Sequence, residues 1–280
     1  MAQALGRLLS AGGESVVALA ARNRSRAEQA ASFIGGSTRV VTYSELPSLA
    51  TRVNVLIAVS DQGITPVAQA LAAAGLRAGV ALHTCGARGA EALAPLRAAG
   101  VACGVLHPLQ TIMTPEQGVK SLVNVTFGLS GDPAATEWGE HIVTVVHGRC
   151  VHIDADRLSY YHAGAVMASN ALVAVLDAAV RLLLQAGVDR QVALSALGPL
   201  ARTSLDNALD SGPQAALTGP IARGDAATVA AHMKAMGSVA PTVAALYEAA
   251  AGHLVELARQ RGLPEASVRA LQSVLDARSG

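Results

Sequence analysis

Up to about Asp154, short Val-rich runs alternate with Ala-rich helical runs, and that alternation restricts the first half of the chain to one kind of architecture. The runs Val16–Ala21, Arg39–Thr42, Val53–Val59, Gly79–Thr84, Val101–Leu106, Val123–Leu129 and Cys150–Ile153 read as strands. Met1–Ser10, Ser25–Phe33, Gly63–Ala74, Ala87–Ala98 and Ala134–Val146 carry helical spacing. Strands that are apolar throughout are buried on both faces, which calls for helices on both sides of a mostly parallel sheet. The expected fold class is therefore α/β, a doubly wound domain with ligands at the carboxyl ends of its strands.

Beyond Asp154 the period changes. Arg157–Gln185, Asp189–Leu209, Asp225–Met236, Thr242–Arg261 and Pro264–Ala277 read as helices, with breaks at Gly187, Ser211-Gly212-Pro213, Gly219-Pro220 and Gly262 to Pro264. The expectation is a first domain over 1–154 and an all-helical one over 155–280. The longest apolar stretch, Ala163–Leu176, is shorter than the roughly 20 residues of a membrane span. It reads as a buried core helix or a subunit-interface helix.

Composition removes several function classes. Hydrophobic residues make up 51% of the 280, but aromatics only 2%, and the net charge is +1. Neither a basic surface nor stacking platforms for nucleic acid are to be expected. The first helix is interrupted by Arg7 and is followed by no cleavage pattern, so it does not read as a secretory signal. Cys85, Cys103 and Cys150 are an odd count without metal-ligand spacing. A cytoplasmic protein without a metal site is the expectation.

The opening segment is distinctive. A helix ends at Gly12-Gly13, a strand follows, and Asn23-Arg24-Ser25-Arg26 makes a basic turn. This is the second half of a dinucleotide-binding βαβ unit, whose preceding strand and glycine-rich turn are not in the sequence. At the strand end stands Ala21-Arg22 rather than an acid, so Asn23, Arg24 and Ser25 suit the 2′-phosphate of NADP, with Ser25 also placed to cap the next helix. The expectation is NADP binding weakened by the lack of the glycine-rich loop, and tighter binding by a form longer by about a dozen residues.

Further candidates stand at strand ends. Val59 and Ser60 would border the cofactor crevice, while Asp61 reads as a helix cap. Thr84 can hydrogen-bond a ligand, and neighbouring Cys85 reads as an inert thiol. His107, stiffened by Pro108, either exchanges protons near pH 7 or anchors its loop. In Tyr160-Tyr161-His162, helical spacing puts His162, Val166 and Ser169 on one face with Asn170 at its margin, and such polar groups need partners or a cleft. Arg223, in a Gly/Pro-rich loop, reads as structural.

Four motifs carry a resemblance that covers nearly the whole chain: H-T-C-G-A-R-G-A-E-A-L, L-H-P-L-Q-T, Y-Y-H-A-G-A-V-M-A-S-N and L-T-G-P-I-A-R-G-D. The sequence resembles bacterial Rossmann-like proteins with a C-terminal helical domain of unknown function, in the 6-phosphogluconate dehydrogenase-like and NADP oxidoreductase-like group. The resemblance implies an NADP-binding domain, a helical dimerisation domain and a reductase activity of undefined substrate. The β-hydroxyacid dehydrogenases of that group place a lysine four residues before the asparagine. Here that position is Val166, so their mechanism is not expected.

The functional expectation is NADP(H)-dependent reduction of a small carbonyl or imine compound, with His162 or His107 supplying the proton and Asn170 orienting the substrate. The alternative is a non-catalytic binding or sensor protein that keeps the fold. A homodimer through the helical domain is expected.

Overall fold

The computed structural model describes residues 1–49, 54–77 and 79–277. Its first part runs α1 (Ala2–Ala11), β1 (Ala18–Ala20), α2 (Arg24–Ile34), β2 (Arg39–Val41), β3 (Val55–Ile57), α3 (Ile64–Ala73), β4 (Val80–His83), α4 (Ala94–Ala98), β5 (Ala102–Pro108), α5 (Pro115–Ser121), β6 (Thr126–Gly131), α6 (Pro133–Val145), β7 (Arg149–His152) and α7 (Leu158–Ala168). Val53, the first residue of one expected strand, lies outside the described residues.

The α/β expectation holds, and the sheet explains why its strands are apolar throughout. Along β4, Val80 and Leu82 feed one buried cluster with Leu5, Phe127 and Ile142, while Ala81 feeds a second with Ile57, Ile64 and Leu93. Both faces are covered, so both parities are apolar up to His83, whose buried ring is satisfied by hydrogen bonds at the strand end. A buried Leu or Phe stabilises such a layer by about 2 kcal/mol.

Strands β3, β4 and β5 are parallel neighbours, β6 is antiparallel to β5, and β7 is parallel to β6; β1 and β2 form a separate parallel pair. The reversal at β6 follows from its connection. Only α5, two turns long, stands between β5 and β6, and a parallel return needs a full crossover. Sequence reading missed α5, although its start is marked: Thr114 caps it by accepting from Gln117 N–H at 3.2 Å, and Pro115 follows. The run Ala87–Ala98, expected as one helix, is a 3₁₀ turn at Ala90–Leu93 followed by the short α4. Pro95 is the cause, since it has no N–H to carry the ladder through.

The chain divides into two compact units, Met1–Ser169 and Asn170–Gly280. The helix expected over Arg157–Gln185 is broken at this junction. Ser169 leaves helical geometry (φ −128°, ψ −76°) and its hydroxyl donates to the Ala165 carbonyl at 2.6 Å. The face expected to run from His162 to Asn170 therefore stops with α7, and Asn170 opens the next helix.

The second unit holds α8 (Asn170–Gln185), α9 (Arg190–Ser211), the short α10 (Pro213–Ala216) and α11 (Gly219–Ala222), then α12 (Ala226–Ala235), α13 (Pro241–Gln260) and α14 (Glu265–Asp276). Its core joins Leu217, Val229, Met233, Val255, Val268 and Leu271. Asp225 caps α12, accepting from Thr228 N–H at 3.0 Å. The stretch Ala163–Leu176 is not a core helix: Met167, Leu172, Val173 and Val175 are exposed. Residues 155–185 as a whole are long and apolar enough to cross a membrane by length and composition.

Candidate functional site

At the carboxyl end of β5, His107 meets α7. The register pairs His107 with Gly128 of β6, and Tyr161 of α7 contacts both the ring and the backbone of His107. Its Nδ1 lies 3.0 Å from the Tyr161 hydroxyl, and that hydroxyl donates to the His107 carbonyl at 3.2 Å. With the tyrosine proton on the carbonyl, Nδ1 must carry the imidazole hydrogen, which makes Nε2 the unprotonated nitrogen. The His162 ring stands edge-on to His107 with centroids 5.7 Å apart. His162 Nδ1 is buried with no hydrogen-bond partner. A buried polar atom left in that state costs about 1–3 kcal/mol, and its usual reason is a ligand or a chemical role.

Two glycines make room for this cluster. A Cβ on Gly86 would come within 2.7 Å of the His107 ring. A Cβ on Gly128 would run into the Tyr161 hydroxyl and ring. Neither glycine, nor Tyr161 as the partner of His107, was read from the sequence as part of the site. The legible signal was a glycine inside an otherwise apolar strand, which marks close approach of another group.

Burial, and after it the charge of His162, pushes His107 down to about 4. Burial likewise pushes Tyr161 up to about 12. His107 is thus neutral near pH 7, a hydrogen-bonding group and proton acceptor rather than a proton store. This shift has a consequence for stability. Between the ordinary value of 6.5 and about 4, the unfolded histidine holds a proton that the folded one refuses. The contribution is fully present above 6.5 and is lost as pH falls toward 4. From about pH 7 to about pH 4.5, the chain should lose on the order of 2 kcal/mol more stability than its His107→Gln variant, measured by urea unfolding.

The neighbouring strand end is structural. His83 is fully buried; its Nδ1 accepts from Cys85 N–H at 3.2 Å and its Nε2 hydrogen points to the Gly89 carbonyl at 3.0 Å. Burial lowers its pKa, so it stays neutral and pins the loop. Burial raises the Cys85 thiol, in keeping with an inert thiol. The Thr84 N–H donates to the Ile57 carbonyl at 3.3 Å. Val59 and Ser60 are exposed at the end of β3. Asp61 does not cap a helix through its side chain but starts a 3₁₀ turn, and Arg88 donates to its carbonyl at 3.0 Å.

At the basic turn, Asn23 and not Ser25 caps α2, its Oδ1 accepting from Arg26 N–H at 2.9 Å. Ser25 lies inside the first turn. Arg24 is exposed and pairs with Glu28 across one turn at 3.0 Å, a surface pair weak enough to yield to a stronger anion. Asn170 is exposed on the second unit. Among the described residues no three His, Cys, Asp or Glu side chains gather as a metal site.

The Rossmann-like domain family matches residues 1–108, and a domain of unknown function, DUF2520, matches residues 125–254. Neither match alone covers half of the chain, and the two lie one after the other along it. No curated protein matches this chain. Among solved structures it is similar to a Thermotoga maritima protein, with 22% identity over 100% of this chain and 98% of the other (TM-score 0.66). A proposed NADP oxidoreductase from Bacteroides fragilis is similar at 19% identity, over 92% of each chain (TM-score 0.64). An imine reductase from a Pseudomonas species matches at 18% identity, over 99% of this chain and 89% of its own (TM-score 0.57). At such identities the likeness establishes the fold alone, a parallel-sheet Rossmann-like domain followed by a helical domain.

Proposed function

We propose that the protein is an NADP(H)-dependent oxidoreductase that reduces a small imine or carbonyl compound at the His107–Tyr161–His162 cluster. The observation that carries this reading is the buried, unpartnered Nδ1 of His162 beside a histidine already locked by tyrosine, at the strand end where this fold binds ligands. The oxidoreductase neighbours support the class.

The exposed cation of Arg24 fits a 2′-phosphate, and the first turn of α1 has neither a side-chain cap nor an acid to compete for a phosphate. Bound there, NADPH would supply a hydride to the substrate carbon. Nδ1 of His162 is the polar atom left for the substrate nitrogen or oxygen, as donor or acceptor according to its tautomer. Tyr161 fixes the His107 ring and so the wall facing His162.

The electrostatics favour imines. An imine that arrives protonated needs only the hydride to become an amine, whereas a ketone also needs a proton for the alkoxide it forms. His107, at about 4, holds none to give at neutral pH. The test is an NADPH fluorescence titration followed by a panel of cyclic imines and small ketones. NADPH oxidation with imines ahead of ketones supports the proposal, and no oxidation with any of them overturns it. Cofactor binding without oxidation would favour a sensor, a reading that Val166, half-turned to solvent where a lysine is expected in hydroxyacid dehydrogenases, also allows.

The working form is proposed to be a homodimer through the second unit. Val173 on α8 is 70% exposed and Leu209 on α9 is 73% exposed, with Leu172, Leu200 and Leu205 also open to solvent. Apolar surface of this extent normally marks an interaction site. Sedimentation should find dimers at micromolar concentration, and Val173→Glu should shift them to monomers. A monomeric parent protein would contradict this.

A further inference from the structure

Within the second unit, the end of α13 carries two arginines with different surroundings. Arg259 is neutralised, standing 3.1 Å from Glu265 and 3.6 Å from Glu256. Arg261, at the turn into α14, pairs with no carboxylate among the described residues. Its Nη1 instead donates to the Leu217 carbonyl at 2.6 Å. That bond uses one N–H of the planar fork and draws the side chain onto the loop between α10 and α11.

Arg223, just past α11, is a second cation of the same kind. It is exposed, and among the described residues it too stands in no ion pair. The acid beside it in sequence is Asp225, whose oxygens already accept from the Thr228 hydroxyl at 2.6 Å and its N–H at 3.0 Å. Those hydrogen bonds, and to a smaller degree Arg223, hold the Asp225 carboxyl below the usual range. The carboxylate is committed to capping α12. The backbone on both sides is fixed: Gly224 and Gly262 sit at φ +72° and +96°, and a Cβ on Gly224 would come within 2.8 Å of Ser267 of α14.

A cavity of about 430 Å³ lies between the two turns, a size that suits a small molecule. Arg223, Arg261 and Thr218 are its polar lining, and no acidic residue borders it among the described residues. Leu217, Ala222, Ala258 and Leu263 are apolar walls, and Leu217 and Ala258 also belong to the buried core, so this floor exists before any ligand arrives.

Two guanidinium groups on one cavity repel each other, and an anion between them relieves that repulsion. Each offers the forked donors that a carboxylate or phosphate group accepts. The walls narrow the choice further. A bare inorganic ion is best left hydrated on its remaining sides and gains nothing from apolar surface. An anion with an apolar body matches both the cations and the walls.

We propose that this cavity binds a small organic anion, its carboxylate or phosphate group between Arg223 and Arg261 and its apolar body against Leu217, Ala222 and Leu263. The site lies wholly within the second unit, apart from the His107–Tyr161–His162 cluster of the first.

The test follows the backbone amide shifts of Gly219 and Gly262 by NMR in the 280-residue chain, at constant ionic strength and neutral pH. Four probes are titrated to about 20 mM: benzoate, phenyl phosphate, benzamide and inorganic phosphate. At least one of the two aromatic anions is expected to shift both amides saturably, with a Kd on the order of 1 mM, and the tighter of the two identifies the preferred head group. Benzamide lacks the charge and inorganic phosphate lacks the body, so each should bind at least about 10-fold more weakly. Arg223→Gln should weaken the better anion about 5-fold or more while leaving the thermal midpoint within about 1 °C. No saturable shift with either aromatic anion overturns the proposal, as does unchanged affinity in Arg223→Gln. Benzamide binding as well as the anions removes the role of the arginines, and inorganic phosphate binding as well removes the role of the walls; either result also overturns it. Cofactor binding and turnover enter none of these measurements, so the anion site and the proposed activity stand or fall separately.

Discussion

Replacing His162 with glutamine is expected to lower NADPH-dependent imine reduction by a factor of about 100 or more, with NADPH affinity changed less than about twofold. Glutamine has a similar volume and stays polar but cannot place an imidazole nitrogen where Nδ1 of His162 stands. The unpartnered Nδ1 of His162 is the group the site leaves available, whereas the hydrogen bond to Tyr161 already occupies Nδ1 of His107. His107→Gln should therefore cost less turnover than His162→Gln, because it removes a wall rather than the reacting contact. Steady-state kinetics on both variants decide the matter. Unchanged kcat in His162→Gln would remove this histidine from the reaction, and a larger loss in His107→Gln would reverse the roles.

The second large effect concerns Gly128→Ala, which is expected to destabilise the first unit by about 2–3 kcal/mol and to dislodge α7. The added methyl would occupy the space of the Tyr161 hydroxyl, and that hydroxyl ties α7 to the β5 backbone. The penalty is specific to that partner. In a Tyr161→Ala background the same substitution should cost less than about 1 kcal/mol, since the clash has gone. Chemical unfolding of the four proteins in the cycle measures the coupling. Additive effects would mean that Gly128 is not there to admit Tyr161.

Much of the fold was readable because burial on both sheet faces forces a continuous apolar run, and each of the expected strands has a counterpart within a few residues. The misses have separate local causes. Pro95 divides a helical run whose Ala-rich spacing otherwise continues, and Ser169 breaks a helix whose apolar pattern runs straight through it. The capping signal of Thr114-Pro115 was present but short, and a two-turn helix leaves little periodicity to detect. The candidate site was legible in part. His107 and His162 stood out as polar residues in apolar surroundings. Their mutual approach did not, because they come from elements 54 to 55 positions apart, and the 54-residue separation of His107 and Tyr161 is bridged only by folding.

The sequence by itself determined the layer architecture, the change to an all-helical second half and the family resemblance. These depend on periodicity and local motif, which neighbouring residues carry among themselves. Only the tertiary structure decided that His83 is a buried pin while His162 keeps an unpartnered nitrogen, and that Gly86 and Gly128 are clearances for His107 and Tyr161. Those are properties of groups distant in sequence and adjacent in space. Their hydrogen bonds, pKa shifts and clearances exist only once the layers have packed.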